Sequence, residues 1–256
     1  TLHNRAEEAL RGDRVLTDPK CIEIYRSFDY DFARSFGRPE PSHAVRSRAF
    51  DRRVERFVQE NTNAVIVNLG EGLETQRYRV QDSADTLWLS VDLPEAIEVR
   101  ERFVPEDNRH LHIPKSALDT SWFEHVPPGR PLFVTAQGLF MYFQRGDVAN
   151  LLRAMARQWP GVELMFDYIP RWLSRKTTST RGWRMTRHYT TPPMPWGVDA
   201  RGVMNELRNW VSSGELVETV PYAFPRGVPR RVFSAATRLP WLLKRVPAMV
   251  HVRLFA

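Results

Sequence analysis

Short runs of apolar and β-branched residues recur along the chain and predict seven β-strands. Stretches with apolar residues at helical spacing separate most of these runs. This alternation predicts an α/β fold, with a mostly parallel seven-stranded sheet and helices on both faces. The strands are expected at residues 64–69, 86–92, 109–113, 131–136, 163–168, 215–221 and 249–255.

Helical patterns cover the segments between the strands and most of the first sixty residues. Residues 147–159 predict a helix with Asp147 as its N-cap, and residues 200–213 predict another. Residues 42–60 predict a longer helix that packs through one apolar stripe. The expected stripe consists of Val45, Ala49, Val54, Phe57 and Val58.

The chain shows no internal repeat and no low-complexity linker, which predicts one compact unit. Residues 1–60 are expected to form a helical cover over a cleft, and residues 61–256 the core. Residues 171–198 mix arginines, tryptophans and prolines without a clear period, so a lid is expected at about residues 170–198. The tail from Leu239 predicts a helix and a closing strand.

Composition and charge narrow the class of protein. The formal net charge of +7 comes mainly from 33 arginines against 4 lysines, and these are dispersed along the chain, which argues against a nucleic-acid partner. The single cysteine, Cys21, excludes an intrachain disulfide and a zinc site of several thiolates. The chain has no apolar run long enough for a membrane span and no signal-peptide pattern at its start. A cytoplasmic enzyme is therefore expected.

A glycine-containing loop follows the first predicted strand in the stretch AVIVNLGEGLE, residues 64–74. Gly70 permits a tight turn, and Gly72 permits close approach of a ligand to the backbone. The loop also carries Glu71 and Glu74 and lacks a lysine, so a phosphate would be repelled. A cofactor with a sulfonium and an ammonium group, S-adenosylmethionine, suits this loop better.

Asp92 ends the second predicted strand, where acidic side chains of doubly wound folds bind ribose hydroxyls. We assign Asp92 that role. The alternative interpretation is purely structural: the glycines make a strand-to-helix turn, and Asp92 caps the helix that begins at Pro94.

Four ordered motifs carry a family resemblance: VIVNLGEGLETQRYR, VDLPEAIEVRE, SALDTSWF and RPLFVTAQGLFMYF. The chain resembles the leucine carboxyl methyltransferase family, and within it the tetracenomycin-type polyketide O-methyltransferases. The resemblance implies a Rossmann-like class I methyltransferase that uses S-adenosylmethionine, releases S-adenosylhomocysteine and methylates oxygen, often in carboxylates. It also implies a small-molecule acceptor as partner and leaves a homo-oligomer open.

The resemblance also implies which residues bind the cofactor. An arginine of the N-terminal helix pairs with the cofactor's carboxylate in this family, and Arg48 is preferred here, with Arg46 second; the alternative is that both are solvated. The other residues are assigned to the methionine part, the ribose, the adenine and the sulfonium side, in that order: Gly70, Glu71 and Gly72; Asp92; Ala117, Leu118 and Asp119; Gln137 and Gly138. Leu93 is also counted as cofactor-binding, without a specific part of the cofactor.

The chain departs from the family pattern at two positions. Glu74 stands where the family usually has aspartate, which preserves the charge. Gln137 stands where the family has glutamate, which removes a carboxylate. The second change allows altered cofactor binding, altered acceptor choice, or slow or lost methyl transfer.

No catalytic base is assigned with certainty. A carboxylate acceptor needs no base, whereas a phenol or enol does, and the candidates are His188, Tyr189 and Tyr142. Each also has a structural interpretation, as a loop histidine or as an aromatic packing or pocket-wall residue. Four aromatic residues of the lid are candidates for stacking on a flat acceptor or for packing the lid onto the sheet: Trp172, Trp183, Tyr189 and Trp196.

Other kinds of site are not supported. The chain has no GxSxG elbow and no GxxxxGK loop. His110 and His112 alternate on one strand but lack a third ligand, so no metal is expected. The first hypothesis is an O-methyltransferase of a polyketide-like or aromatic small molecule in secondary metabolism. The alternatives are a catalytically silent cofactor-binding or metabolite-binding member that acts through a protein partner, and a protein carboxyl methyltransferase.

Overall fold

The computed structural model describes residues 1–211, 213–227 and 246–256. The strands of its main sheet are β1 Val65–Leu69, β2 Leu87–Asp92, β3 His110–Pro114, β4 Leu132–Ala136, β5 Val162–Tyr168, β8 Ser213–Pro221 and β9 Ala248–Phe255. Their order in the sheet is β3-β2-β1-β4-β5-β9-β8, with β1 to β5 parallel and β9 antiparallel to both of its neighbours. All seven predicted strands are therefore confirmed.

Helices flank this sheet and precede it. They are α1 Leu2–Ala9, α2 Pro19–Arg26, α3 Phe32–Phe36, α4 Ser42–Glu60, α5 Pro94–Glu101, α6 Arg145–Gln158, α7 Arg171–Thr178 and α8 Ala200–Trp210. The prediction for α4 is confirmed at both ends. The N-cap prediction for α6 is wrong, because the helix begins two residues earlier, after Gln144, and Asp147 lies in its first turn. In the first turn, the carboxylate of Asp147 still interacts favourably with the positive end of the helix dipole.

The sheet is buried on both faces, and alternate residues of β1 point into different parts of the core. Val65, Val67 and Leu69 belong to one apolar cluster, whereas Ile66 packs with Phe50 of α4 in the other. This alternation places α4 against one face of the sheet.

The buried stripe of α4 differs from the prediction. Val54, Phe57 and Val58 are buried as expected, but Val45 and Ala49 are only half-buried. Polar residues occupy the buried face instead in the first half of the helix, among them Arg46, Ser47 and Asp51. Apolar periodicity could not identify these positions, because their burial depends on hydrogen bonds to distant parts of the chain.

The predicted lid is more regular than expected. It contains α7 and a small hairpin of β6 (Trp183–Arg184) and β7 (Thr190–Thr191), rather than an irregular loop alone. The hairpin loop contacts the N-terminal helices, since the Thr186 hydroxyl donates to the Ser35 carbonyl at 2.7 Å. Residues 239–245 of the predicted C-terminal helix lie outside the described residues. The division into a cover and a core stays a prediction.

The order of the strands positions the candidate site. β1 and β4 are neighbours in the sheet, but the chain leaves β1 toward β2 and leaves β4 toward β5. The two connections run in opposite directions at this switch point and open a crevice between the carboxyl ends of β1 and β4. Within the described ranges, no helix has both the length and the apolar character needed to cross a membrane.

Candidate functional site

A cavity of about 140 Å³ lies at the carboxyl ends of β1 and β4. The segment after β1 contributes more of its lining than any other segment, and arginines from α1 and α4 close it on the side of the N-terminal helices. Its lining contains the following residues named below: Arg5, Arg46, Asn68, Gly70, Glu71, Gly72, Glu74, Gln137 and Gly138.

The two glycines of the loop have left-handed backbone conformations. Gly70 has φ +63° and Gly72 has φ +53°, a region that L residues with side chains rarely adopt. A Cβ atom on Gly70 would lie 2.6 Å from the side chain of Leu139, whereas one on Gly72 would project into open space. The positive φ angles therefore favour glycine at both positions, and a side chain at Gly70 would also have to displace Leu139.

Glu71 is buried beneath the loop and bound to several partners. Its carboxylate pairs with Arg100 at 2.9 Å, accepts from Asn68 Nδ2 at 3.0 Å and accepts from the Ser90 hydroxyl. Burial raises the pKa of Glu71, and the positive charge of Arg100 opposes that shift. Glu71 therefore acts first as a structural anchor for the loop.

Glu74 forms a second buried charge network. Its carboxylate lies 2.9 Å from Arg5 Nη1 and 2.7 Å from Arg79 Nη1. Burial alone would raise the pKa of Glu74, but these two guanidinium groups outweigh it and hold the pKa well below its usual range.

The carboxylates of this loop are therefore not free to repel phosphate, contrary to the expectation from the sequence. We expected unpaired carboxylates that repel phosphate and attract a sulfonium. Arg100 neutralises Glu71, while Arg5 and Arg79 neutralise Glu74. The charge of the loop therefore does not indicate which cofactor the site binds.

Arg46 lines the cavity and Arg48 does not. Arg46 is buried, and its Nη1 donates to Asp167 at 3.0 Å and to the Tyr222 hydroxyl at 3.1 Å. Arg48 is exposed and donates to the Val15 carbonyl at 2.8 Å. Two residues along an α-helix are separated by a rotation of about 200°, so the two side chains leave opposite sides of α4. The geometry does not support the preference for Arg48.

The Nε of Arg46 is buried without a hydrogen-bond partner among the described residues. A buried N–H group without a partner is uncommon in a native protein. The Nε–H and an Nη–H share one edge of the guanidinium, and this edge matches the two oxygens of a carboxylate. Arg46 therefore retains a donor for a ligand.

Asp167 is a site residue that the sequence analysis missed. It is fully buried at the end of β5 and accepts from Arg46, from the Tyr222 hydroxyl and from the Gly138 N–H. Gly138 passes close beneath Arg46, since a Cβ at Gly138 would lie 2.9 Å from Arg46 Nη1. An aspartate at the end of an apolar run, LMFDY, was the available signal.

Gln137 is hydrogen-bonded to the charge network. Its Nε2 donates to Glu74 Oε2 at 2.9 Å and to the Ser47 hydroxyl at 3.0 Å. A glutamate at this position would bring two carboxylates together, whereas the amide donates to the carboxylate already there. The departure from the family pattern thus has a local compensation.

Asp92 is half-buried at the end of β2. Its carboxylate accepts from the backbone N–H of Gly72 at 2.7 Å and of Leu93 at 2.8 Å. Helix α5 has Leu93 at its N-cap position and no side-chain cap, so the capping alternative is wrong for Asp92. Asp92 instead links the glycine loop to β2, and Leu93 is exposed beside it.

The three residues assigned to the adenine lie outside the lining of this cavity. Ala117 is buried and Leu118 is half-buried. Asp119 is exposed and caps the short 3₁₀ helix Thr120–His125 by accepting from the Ser121 N–H at 3.0 Å. Their role toward an adenine stays a prediction.

The two tyrosines among the candidate bases are poorly suited to accept a proton. Burial raises the pKa of Tyr142 and, by itself, that of Tyr189, so both keep their protons near neutral pH. His188 is exposed, and its Nε2 is hydrogen-bonded to Arg187 Nε at 2.9 Å. Tyr189 packs edge-on against Phe36, with ring centroids 4.9 Å apart.

The four aromatic residues proposed to stack on an acceptor occupy different environments. Trp196 is buried in the core, and its indole N–H donates to Glu206 at 3.1 Å. Trp183 lies beneath Lys176, whose Nζ is 4.7 Å from the ring centroid. Trp172 is 49% exposed on α7, and Tyr189 is half-buried.

The buried histidines do not form a metal centre. Burial lowers the pKa of His110 to about 2, and His110 Nε2 is hydrogen-bonded to Ser90 at 2.8 Å. Burial lowers the pKa of His112 to about 4. Throughout the described part of the chain, no group of three or more His, Cys, Asp or Glu residues is arranged to hold a metal ion.

His43, one turn before Arg46, is also neutral, because burial and Arg46 lower its pKa well below the usual value.

Sequence comparisons identify the family. The profile of the leucine carboxyl methyltransferase family matches residues 11–156. The tetracenomycin polyketide synthesis O-methyltransferase TcmP of Streptomyces glaucescens is 31% identical over 241 residues, covering 84% of this chain and 87% of TcmP. The S-adenosyl-L-methionine-dependent methyltransferase dpfgK of Gibberella zeae is 28% identical over 188 residues, covering 65% of this chain and 63% of dpfgK.

Solved structures with a similar fold are methyltransferases. A Thermobifida fusca protein assigned as a methyltransferase superposes with a TM-score of 0.57 at 15% identity, covering 99% of this chain and 94% of its own. The N-methyltransferase NodS of Bradyrhizobium japonicum superposes with a TM-score of 0.50 at 11% identity, covering 83% and 98%. These likenesses show the fold, and the sequence matches show the family. The chain belongs to the leucine carboxyl methyltransferase family and is a methyltransferase with the class I fold.

Proposed function

We propose that this protein transfers a methyl group from S-adenosylmethionine to a carboxylate or phenolic oxygen of a polyketide-like or aromatic small molecule. Family membership and the similarity to TcmP support this function. The structural observation that carries the proposal is Arg46, which lines the cavity at the switch point of the sheet and whose buried Nε–H has no partner among the described residues.

The residues at the cavity fit this cofactor. A carboxylate would satisfy the unpaired edge of Arg46 with a charge-assisted bidentate hydrogen bond. Asp92 lies where a ribose is bound in doubly wound folds, and the open space at Gly72 leaves room beside the backbone. When bound, the cofactor supplies a methyl carbon that its sulfonium has already activated.

The protein's contribution is alignment and exclusion of water rather than acid–base chemistry. Arg46 would hold the carboxylate end of the cofactor, and Asp92, which lies outside the cavity lining, would hold its ribose. Held at both places, the methyl carbon would be oriented toward the acceptor. The carboxylates of Glu71, Glu74 and Asp167 are already paired with arginines. They stabilise the geometry of the cavity walls.

A carboxylate is the acceptor oxygen that this arrangement favours. The assigned bases Tyr142 and Tyr189 keep their protons, and the Nε2 of His188 is occupied. Protonation of His43 would place a charge beside Arg46, which disfavours it as a base. A carboxylic acid is ionised at neutral pH without help, whereas a phenol with a pKa of about 10 is not.

Aromatic side chains support an aromatic acceptor. Tyr142 is 40% exposed and lies within electrostatic range of Tyr189, Arg46 and Asp167. Phe36 packs against Tyr189 and joins the lid hairpin to α3. We infer that a flat acceptor enters between the lid and the N-terminal helices.

We also infer that the enzyme works in the cytoplasm, where the buried thiol of Cys21 stays reduced.

Calorimetry and a transfer assay test the proposal. S-adenosylmethionine and S-adenosylhomocysteine should bind, and NAD should not. Labelled S-adenosylmethionine should then methylate an aromatic hydroxy acid, and alkali should release the label, since it hydrolyses an ester but not an aryl ether. Failure of both sulfur cofactors to bind would refute the function. An alkali-stable label would refute the preference for a carboxylate.

A further inference from the structure

Tyr222 is attached to the site by the strand pair at the edge of the sheet. It directly follows β8, and its backbone N–H donates to the Pro247 carbonyl at 3.0 Å, just before β9. This pairing fixes the backbone of Tyr222 and aims its side chain at Arg46, which lies 176 residues earlier in the chain. Neither the family motifs nor the apolar pattern pointed to this residue.

The Tyr222 hydroxyl makes two hydrogen bonds in the site. It donates to Asp167 and accepts from Arg46 Nη1 at 3.1 Å. The guanidinium carbon also lies 5.9 Å from the centre of the Tyr222 ring. The hydroxyl keeps its proton, because burial and the nearby carboxylate of Asp167 raise the pKa of Tyr222 well above its usual value.

These contacts set the orientation of Arg46. Asp167 and Tyr222 both occupy Nη1, which holds that corner of the guanidinium toward the protein. The Nε–H remains without a partner, on the edge that binds a carboxylate in a bidentate manner. Without the hydroxyl, Arg46 would have one hydrogen bond fewer to fix its plane, and Asp167 would lose one of its donors.

We propose that Tyr222 is a positioning residue that orients the guanidinium of Arg46 for the amino-acid end of S-adenosylmethionine. The inference rests on the proposed function. It assigns to Tyr222 an effect on one part of the cofactor only, since the adenosine end is assigned to Asp92 at the end of another strand.

The substitution Tyr222→Phe isolates the hydroxyl, because the ring is retained. Two ligands report on it: S-adenosylhomocysteine, which has the amino-acid end, and 5′-methylthioadenosine, which lacks it. We expect Tyr222→Phe to weaken binding of S-adenosylhomocysteine about tenfold and that of 5′-methylthioadenosine less than about twofold. In turnover, KM for S-adenosylmethionine should rise while kcat is nearly unchanged.

Tyr168→Phe is the matched control. Tyr168 is also buried and adjoins Asp167 in the chain, but its hydroxyl has no hydrogen-bond partner among the described residues. We expect this variant to bind both ligands like the wild type. Thermal unfolding of both variants should show one cooperative transition near that of the wild type.

A double-mutant cycle tests whether Tyr222 acts through Arg46. If it does, Tyr222→Phe should weaken S-adenosylhomocysteine binding no further in a protein that already carries Arg46→Lys. Equal weakening of both ligands by Tyr222→Phe, or additive losses in the cycle, would overturn the inference while leaving the proposed function intact. If the wild type bound neither ligand, the proposed function itself would fail, and the inference with it.

Discussion

The choice between Arg46 and Arg48 gives the sharpest test of the site. We expect Arg46→Lys to weaken S-adenosylhomocysteine binding strongly and Arg48→Ala to leave it almost unchanged. Lysine keeps the positive charge but lacks the planar fork that binds both oxygens of a carboxylate. Arg46 lines the cavity, whereas Arg48 is exposed and bonded to Val15.

The magnitude follows from the hydrogen bonds that are lost. A hydrogen bond to a charged group contributes about 1.5–3 kcal/mol, and each ~1.4 kcal/mol changes an affinity tenfold. Loss of one such bond therefore corresponds to a dissociation constant about 10 to 150 times higher. For Arg48→Ala we expect a change of less than about twofold, because exposed polar contacts contribute little.

Lysine is preferred to alanine at position 46 for a structural reason. Asp167 is fully buried and pairs with Arg46 at 3.0 Å. Arg46→Ala would leave that carboxylate without a cation, which typically costs about 3–5 kcal/mol of folding stability. Arg46→Lys retains the charge, so a loss of affinity can be separated from a loss of fold.

Isothermal titration of the wild type and both variants is the assay, with thermal unfolding as the check on the fold. The reasoning is refuted if Arg46→Lys binds as tightly as the wild type. It is also refuted if Arg48→Ala loses as much affinity as Arg46→Lys, because an arginine on the solvent side of α4 would then contact the ligand.

Three further substitutions test other parts of the site. Asp92→Ala should weaken S-adenosylhomocysteine and 5′-methylthioadenosine alike by at least about tenfold, and calorimetry showing unchanged affinity would contradict the ribose assignment. Gln137→Glu should destabilise the protein, because it places a second carboxylate beside Glu74. Like charges raise the folded-state pKa of a carboxyl group, so the loss of stability relative to the wild type should shrink as the pH falls. Urea unfolding should show this loss decreasing from about pH 8 to about pH 5. Glu74→Gln should cost about 3 kcal/mol near neutral pH by leaving Arg5 and Arg79 without this partner. The pKa of Glu74 is depressed in the folded state. Its ionised carboxylate therefore stabilises the fold fully at pH values well above the unfolded-state pKa of about 4.3, and this stabilisation is lost as the pH falls through the folded-state pKa. Equal destabilisation by Glu74→Gln at all pH values in urea unfolding would contradict the assigned charge network.

The local pattern of residues determined the strands of the main sheet and the long helix α4. All seven strands lie within two residues of their predicted bounds, and α4 begins and ends where its pattern predicted. These elements can be predicted from the sequence, because a buried parallel strand needs a continuous apolar run and an amphipathic helix needs apolar residues at helical spacing. Ordered motifs likewise sufficed for the family, which the comparisons confirm.

The environment of each charged side chain was decided only by the tertiary structure. Glu74 looks like an unpaired acid in its loop, yet it pairs with Arg5, which lies 69 positions earlier in the chain. Arg46 and Arg48 look equivalent in AVRSRAFD, but only the packing of α4 decides which one faces the cavity. Asp167 and Tyr222 come together because β5 and β9 pair side by side in the sheet, with β8 next to β9.

The physical reason for this division is the range of the interactions. Strand and helix patterns arise from neighbours a few residues apart, so a single stretch of sequence contains them. Ion pairs and buried hydrogen bonds join residues that are adjacent only after folding, and their strength depends on burial that the sequence does not display. The sequence determined the fold and the family, whereas the folded structure decided which charges are neutralised and which donor remains for a ligand.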